Sequence, residues 1–160
     1  MKKAAIVLMV LVLAVGGVIG YALFQTNLQV LAKGLQRTPA AERRKEFEAL
    51  KQAAEGQRLM GTVLKKEGIG QAENYSLYTY TLRLKNNCLV DAEMVEMQIS
   101  PASGDVLFYG STQEIVIPAG KTKDISCVLL TEGTPRAVRE IYVTYYLWGH
   151  PKQIKFTFDD

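Results

Sequence analysis

Three hydrophobic patterns follow one another along the chain. The first is an unbroken apolar run, AAIVLMVLVLAVGGVIGYALF, over residues 4–24. Its 21 residues carry no charge, and as a helix they span roughly 31 Å, the thickness of a bilayer's hydrocarbon core. The second pattern is helical. Leu28, Leu31 and Leu35 recur at helical spacing and predict a short stalk that prolongs the first helix. Thr38-Pro39 then supplies an N-cap and a residue suited to the first helical position. The helix this predicts runs over residues 39–55, with Phe47, Leu50 and Ala54 on one face and Gly56 as its stop.

The third pattern alternates. In SLYTYTLRLK, Tyr78, Tyr80, Leu82 and Leu84 take turns with Thr79, Thr81, Arg83 and Lys85, the mark of a half-buried strand. Val95, Met97 and Ile99 repeat the pattern, as do Ile125, Cys127 and Leu129. So do Ile141, Val143, Tyr145 and Leu147, and then Ile154, Phe156 and Phe158. Ile115 and Ile117 lead into the turn Pro118-Ala119-Gly120, and residues 59–66 and 106–109 complete about eight short strands. Asn86-Asn87, Ser103-Gly104-Asp105 and Gly149-His150-Pro151 are turn chemistry between them. Strands about ten residues apart with no strong helix between them predict a mainly β fold, an antiparallel immunoglobulin-like sandwich. The chain thus divides into a membrane anchor or signal segment (1–24), a helical juxtamembrane stalk (25–58) and a sandwich domain (59–160).

The stretch YTYTLRLKNNCLVDAEMVEMQIS followed by EIVIPAGKTKDISCVLL resembles bacterial immunoglobulin-like domains of the FxLYD and CARDB kind. In those domains a strand ends in an Asn-containing turn, an alternating strand follows, and an apolar-x-apolar-Pro-Ala-Gly-x-Thr corner opens a long strand. The resemblance covers about residues 75–158, departs at Cys88 and Cys127, and implies a sandwich fold with a binding or scaffolding role. It transfers no catalytic residue.

Charge sharpens the division. Residues 1–24 carry +2, residues 25–58 carry +3 and residues 59–160 carry −2, giving the net +3 of the whole. The basic excess therefore lies beside the apolar run and not in a domain built for nucleic acid. Arg43-Arg44-Lys45 reads as a solvated helix face rather than a lipid contact. Two readings of the N-terminus compete. A retained anchor uses the whole run, with Tyr21 near the far interface; a signal peptide would be cut after a shorter one. Length favours the anchor, and Lys2 and Lys3 favour a cytoplasmic N-terminus with the rest outside. Gly16 and Gly20 form a G-x-x-x-G pair, which lets two membrane helices approach.

Candidate chemistry is sparse. Outside the cytoplasm, Cys88 and Cys127 are candidates for one disulfide, which in the chain-entropy model stabilises by about 3–4 kcal/mol. Their parities do not match, because Cys127 faces inward and Cys88 follows a turn. His150 is the single histidine and lies in a turn, without a partner acid or nucleophile. No phosphate-loop, dinucleotide, nucleophile-elbow or zinc motif occurs, so neither catalysis nor a cofactor is expected. Tyr142, Tyr146 and Trp148 lie opposite the core set of their strand. They form either a contact surface for a partner or the seat of the 39–55 helix, and the second is preferred on the sequence. The expected protein is membrane-anchored through residues 4–24, with a non-catalytic extracytoplasmic sandwich that contacts another envelope protein. The alternatives are a secreted ligand-binding domain released by cleavage and, further off, a small enzyme.

Overall fold

The computed structural model describes residues 2–24, 27–55, 62–64, 68–110, 113–133 and 138–159. Helix α1 (Lys2–Phe24) is followed by strand β1 (Leu28–Pro39), helix α2 (Arg44–Glu55) and strand β2 (Thr62–Val63). After a single 3-10 turn (Ala72–Asn74) come β3 (Tyr75–Asn86), β4 (Glu93–Ile99), β5 (Asp105–Tyr109), β6 (Thr122–Glu132), β7 (Val138–Leu147) and β8 (His150–Asp159). The strands form two antiparallel sheets, β1-β3-β6-β5-β2 and β4-β7-β8.

Alternation sorts the strands onto one core. Tyr78, Tyr80, Leu82 and Leu84 of β3 and Ile125, Cys127 and Leu129 of β6 meet Val95, Met97 and Ile99 of β4 and Ile141, Val143, Tyr145 and Leu147 of β7. These residues come from both sheets, so the two sheets pack face to face as a sandwich. A second apolar cluster lies on the outer face of the five-stranded sheet. There Phe47 and Ala54 of α2 cover Tyr75, Leu77, Val106, Leu107 and Leu130. Both faces of β3 are therefore buried at its start, and its burial is continuous from Tyr75 to Tyr78 before it alternates. Tyr109 ties the helix down from β5, donating to Glu46 Oε1 at 3.0 Å.

Residues 28–39 depart from the helix their leucine spacing predicts. They form an edge strand on β3, from Leu28 opposite Asn86 to Pro39 opposite Ser76. A bulge between Val30 and Ala32 explains the misleading spacing. Leu28 and Val30 sit opposite inward residues before the bulge, and Lys33 and Leu35 do so after it. The extra residue changes the parity, so Leu28 and Leu35 share a face although they are an odd number apart. Leu31, at the bulge, is exposed. Helix α2 begins at Arg44 rather than Pro39, after a turn in which Glu42 N donates to Pro39 O and Arg43 N to Ala40 O. Its expected stop at Gly56, and residues 59–61 and 65–66 of the expected first strand, lie outside the described residues.

The sandwich has two poles. At one, β1 begins at Leu28 beside the 86–89 turn, the 118–121 turn and the β7–β8 hairpin. At the other, β1 ends at Pro39, and β5 and β7 begin. Arg139 of β7 makes a bidentate pair with Asp105 of β5 across this pole, at 2.7 and 2.9 Å, and both side chains are buried. Asp105 Oδ2 also accepts from Ala102 N at 2.7 Å.

Candidate functional site

Among the described residues, no helix covers the outer face of the β4-β7-β8 sheet, and its side chains are open to solvent. Alternation along β7 points Glu140, Tyr142, Thr144 and Tyr146 away from the core. Tyr142 stands between Gln98 of β4 and Lys155 of β8, Thr144 between Glu96 and Gln153, and Tyr146 between Glu93 and Pro151. Tyr142 donates to Glu140 Oε2 at 2.9 Å, and Lys155 Nζ lies 5.6 Å from its ring centre. Lys155 also pairs with Glu140 at 2.7 Å. The Lys155 ammonium, and then the Tyr142 hydroxyl, hold the Glu140 carboxyl below the usual carboxylate range.

Towards the Leu28 pole this face opens into a cavity of about 780 Å³, lined among others by Met94, Glu96, Glu114, Tyr146, Pro151 and Lys152. A bulge in β4 between Glu93 and Glu96 makes the opening. Met94 sits there at φ 49° with 57% of its surface exposed. Nothing in the period-two pattern of β4 signals that bulge. The strand was legible, but this part of the site was not.

Helix α2 does not cover Tyr142 and Tyr146, contrary to the preferred sequence reading. Its apolar face is spent on Tyr75, Leu77, Val106, Leu107 and Leu130 of the other sheet. The short connection from the end of β1 leaves it no route to the far face. Trp148 is separated from the tyrosine row as well. The strand ends at Leu147, and Trp148 (φ 54°) and Gly149 (φ 71°) make the two-residue turn to β8. Two positive φ values in such a turn match type I′, where glycine or asparagine is usual and tryptophan is not.

Cys88 and Cys127 remain thiols, which overturns the expected disulfide. Both are buried in the inter-sheet core. Cys127 stands opposite Tyr80, whereas Cys88 follows Asn86 at the end of β3, with its N donating to Asn86 Oδ1. The six residues from Tyr80 to Asn86 rise roughly 20 Å, well beyond the ~6 Å Cα separation of a disulfide. Burial pushes the Cys127 thiol up from 9.0 to about 12. Alkylation of the unreduced protein in denaturant is therefore expected to modify two thiols, while native protein at pH 8 reacts slowly; a mass with no added groups after denaturation would restore the bridge. Because folding holds the Cys127 proton on, this contribution to stability is full below pH 9 and is lost as the pH climbs towards 12.

Gly16 and Gly20 lie on α1, and a Cβ added at either would meet no atom within 4 Å. No contact among the described residues accounts for the pair. His150 is exposed at the head of β8. Among the described residues, no group of three or more His, Cys, Asp or Glu could hold a metal ion. The exposed Arg43 pairs with the half-buried Glu46, and Arg44 with the exposed Glu73, at the pole roughly 36 Å along β1 from Leu28. This is the solvated face read from the sequence. The 19 residues Lys3–Tyr21 are long and apolar enough to cross a membrane, and a signal sequence meets the same test.

No family model matches the chain, and no curated protein matches it. Among solved structures, it is similar to a FixG-related protein from Vibrio parahaemolyticus, at 12% identity and a TM-score of 0.37, over 79% of this chain and 94% of that one. It is also similar to the cupredoxin domain of amoB from Nitrosocaldus yellowstonii, at 13% identity and a TM-score of 0.38, over 82% and 85% of the two chains.

Proposed function

We propose that this is a single-pass membrane protein whose extracytoplasmic sandwich works without catalysis, holding another envelope protein through the outer face of the β4-β7-β8 sheet. The observation that carries this reading is the uneven covering of the two sheets. Helix α2 seals the apolar outer patch of the five-stranded sheet, yet among the described residues no element covers Tyr142, Tyr146 and the adjoining cavity. Tyr146 is exposed at the rim of the cavity and Tyr142 is half-buried next along the row, and aromatic side chains beside a concavity are what protein interfaces use as anchors. Glu96 and Glu114 line the cavity with Lys152, Glu93 stands opposite Tyr146, and Lys155 lies over the Tyr142 ring, so a partner segment with apolar side chains and charges of both signs fits the face. Lys2 and Lys3 support a cytoplasmic N-terminus, with residues 4–24 as the retained anchor.

The test is purification of the full chain in mild detergent, as wild type and as Tyr142→Ser/Tyr146→Ser. The double variant should keep its stability to within about 1 kcal/mol, as surface changes do, and lose the co-purifying chain. A large fall in Tm, or a wild-type protein that is consistently solitary, would sink the contact-surface reading. N-terminal sequencing of the membrane fraction checks the anchor. An intact start at Lys2 supports it, and a start near Gly17 or Leu23 makes the sandwich a released domain instead.

A further inference from the structure

The pole that carries Leu28 is tied closely to the end of α1. Phe24 to Leu28 is four residue steps, about 14 Å at full extension. A headgroup layer is roughly 6 Å deep on each side of the hydrocarbon core. If α1 spans the bilayer, this end of the sandwich cannot stand far from the lipid surface.

The same pole is where the sandwich exposes large apolar side chains. Outside α1, six such residues are exposed among those described, and four of them, Leu89, Met94, Tyr146 and Trp148, belong to this end. The register places them there independently. Leu28 pairs with Asn86, three residues before Leu89. Leu28 N also donates to the Tyr145 hydroxyl oxygen at 3.5 Å, which sets the end of β7 beside the start of β1. Tyr146 faces Glu93, next to Met94, and the following turn carries Trp148. The exposures of Leu89, Met94 and Trp148 are 72%, 57% and 54%.

Backbone conformation singles out the same place. Among the described residues, Met94 and Trp148 are the non-glycine positions with positive φ. Each is a large apolar side chain held outward by a conformation that costs free energy for a residue with a Cβ. Lys121 and Lys123 are exposed at the same pole, on the 118–121 turn and the start of β6, and Glu93 is exposed next to Met94. An indole at a tight tip, isolated aliphatic side chains and flanking lysines match what membrane interfaces select for.

We propose that this pole is a lipid-contacting surface: Trp148, Leu89 and Met94 enter the headgroup region of the bilayer that holds α1, and fix the sandwich against it. The proposal rests on the retained-anchor reading. It gives the turn tryptophan a role distinct from the tyrosine face, which then stands upright beside the membrane, with Met94 and Tyr146 at its lipid edge and Tyr142 further out, open to a partner.

Trp148 is the single tryptophan of the chain, so its fluorescence reports this pole without any substitution. The full chain is reconstituted into vesicles of phosphatidylcholine and phosphatidylglycerol, floated on a density gradient, and measured with and without brominated acyl chains. The expected result is co-flotation, emission shifted to shorter wavelength, strong quenching by the brominated lipid and weak quenching by aqueous iodide. Leu89→Ser/Met94→Ser should move the emission back towards longer wavelength without loss of flotation. Co-flotation with emission open to iodide and blind to bromine overturns the lipid contact while leaving the anchor intact. Shielding from both quenchers seats Trp148 against protein and overturns it as well. Failure to float overturns the anchor and the proposal together.

Discussion

Arg139→Met is expected to destabilise the sandwich by about 3–5 kcal/mol, because it strands the Asp105 carboxylate in the interior. The pair is a bidentate contact with 4% and 0% of the two side chains exposed. It joins β5 of one sheet to β7 of the other, and so clamps the pole opposite Leu28. Asp105→Leu should be at least as damaging. It leaves the guanidinium unpaired, and it also removes the acceptor that holds Ala102 N in the turn before β5. The two changes should not add. Asp105→Leu/Arg139→Met replaces the ion pair with apolar volume and is expected to recover much of the loss, since well-packed apolar groups can match a buried ion pair. Arg139 Nε has no hydrogen-bond partner among the described residues, which lowers what the pair contributes and favours that recovery. Urea unfolding of the four proteins measures the coupling. A single variant within 1 kcal/mol of wild type, or two losses that simply sum, would show that the clamp does not act as a unit.

How much could be read in advance differs from element to element, for physical reasons. β3, β6, β7 and β8 obey a period of two because one face of each meets the inter-sheet core, and that period is visible in Tyr78 to Leu84 and Ile141 to Leu147. β1 was hidden by its bulge, since a single inserted residue turns strand parity into the spacing of a helix. The Asp105–Arg139 pair joins residues 34 positions apart. Asp105 read only as part of a turn, and no local pattern marks such a partner. Cys88 and Cys127 carried a correct warning in their unequal parity, and strand register is what separates them. The apolar stripe of α2 was legible in Phe47, Leu50 and Ala54, but a stripe shows only that a face must be buried. It does not say which sheet buries it.

That last distinction makes Phe47→Ala the second large effect, again about 3–5 kcal/mol. Phe47 is fully buried, and its ring centre lies 5.4 Å from that of Tyr75. Helix α2 has 12 residues, a length that is marginal in water without tertiary support. Truncating its anchor should therefore cost both the buried ring and part of the helix itself. The expected readout is a fall in Tm with reduced helical circular dichroism, and early loss of amide protection in Tyr75, Leu77 and Leu130, which lie beneath α2. Protection of the amides of Val143 and Tyr145 should persist until the sandwich unfolds as a whole, because α2 packs on the other sheet. The contrast with Tyr142→Ser/Tyr146→Ser is what gives the experiment its force. If α2 seals one sheet and a partner covers the other, Phe47→Ala should lower stability with partner capture retained below the new melting point. The tyrosine variant should do the reverse. Equal loss of both properties in both proteins would mean that α2 and the tyrosine face serve one surface, and the division of labour between the two sheets would have to be abandoned.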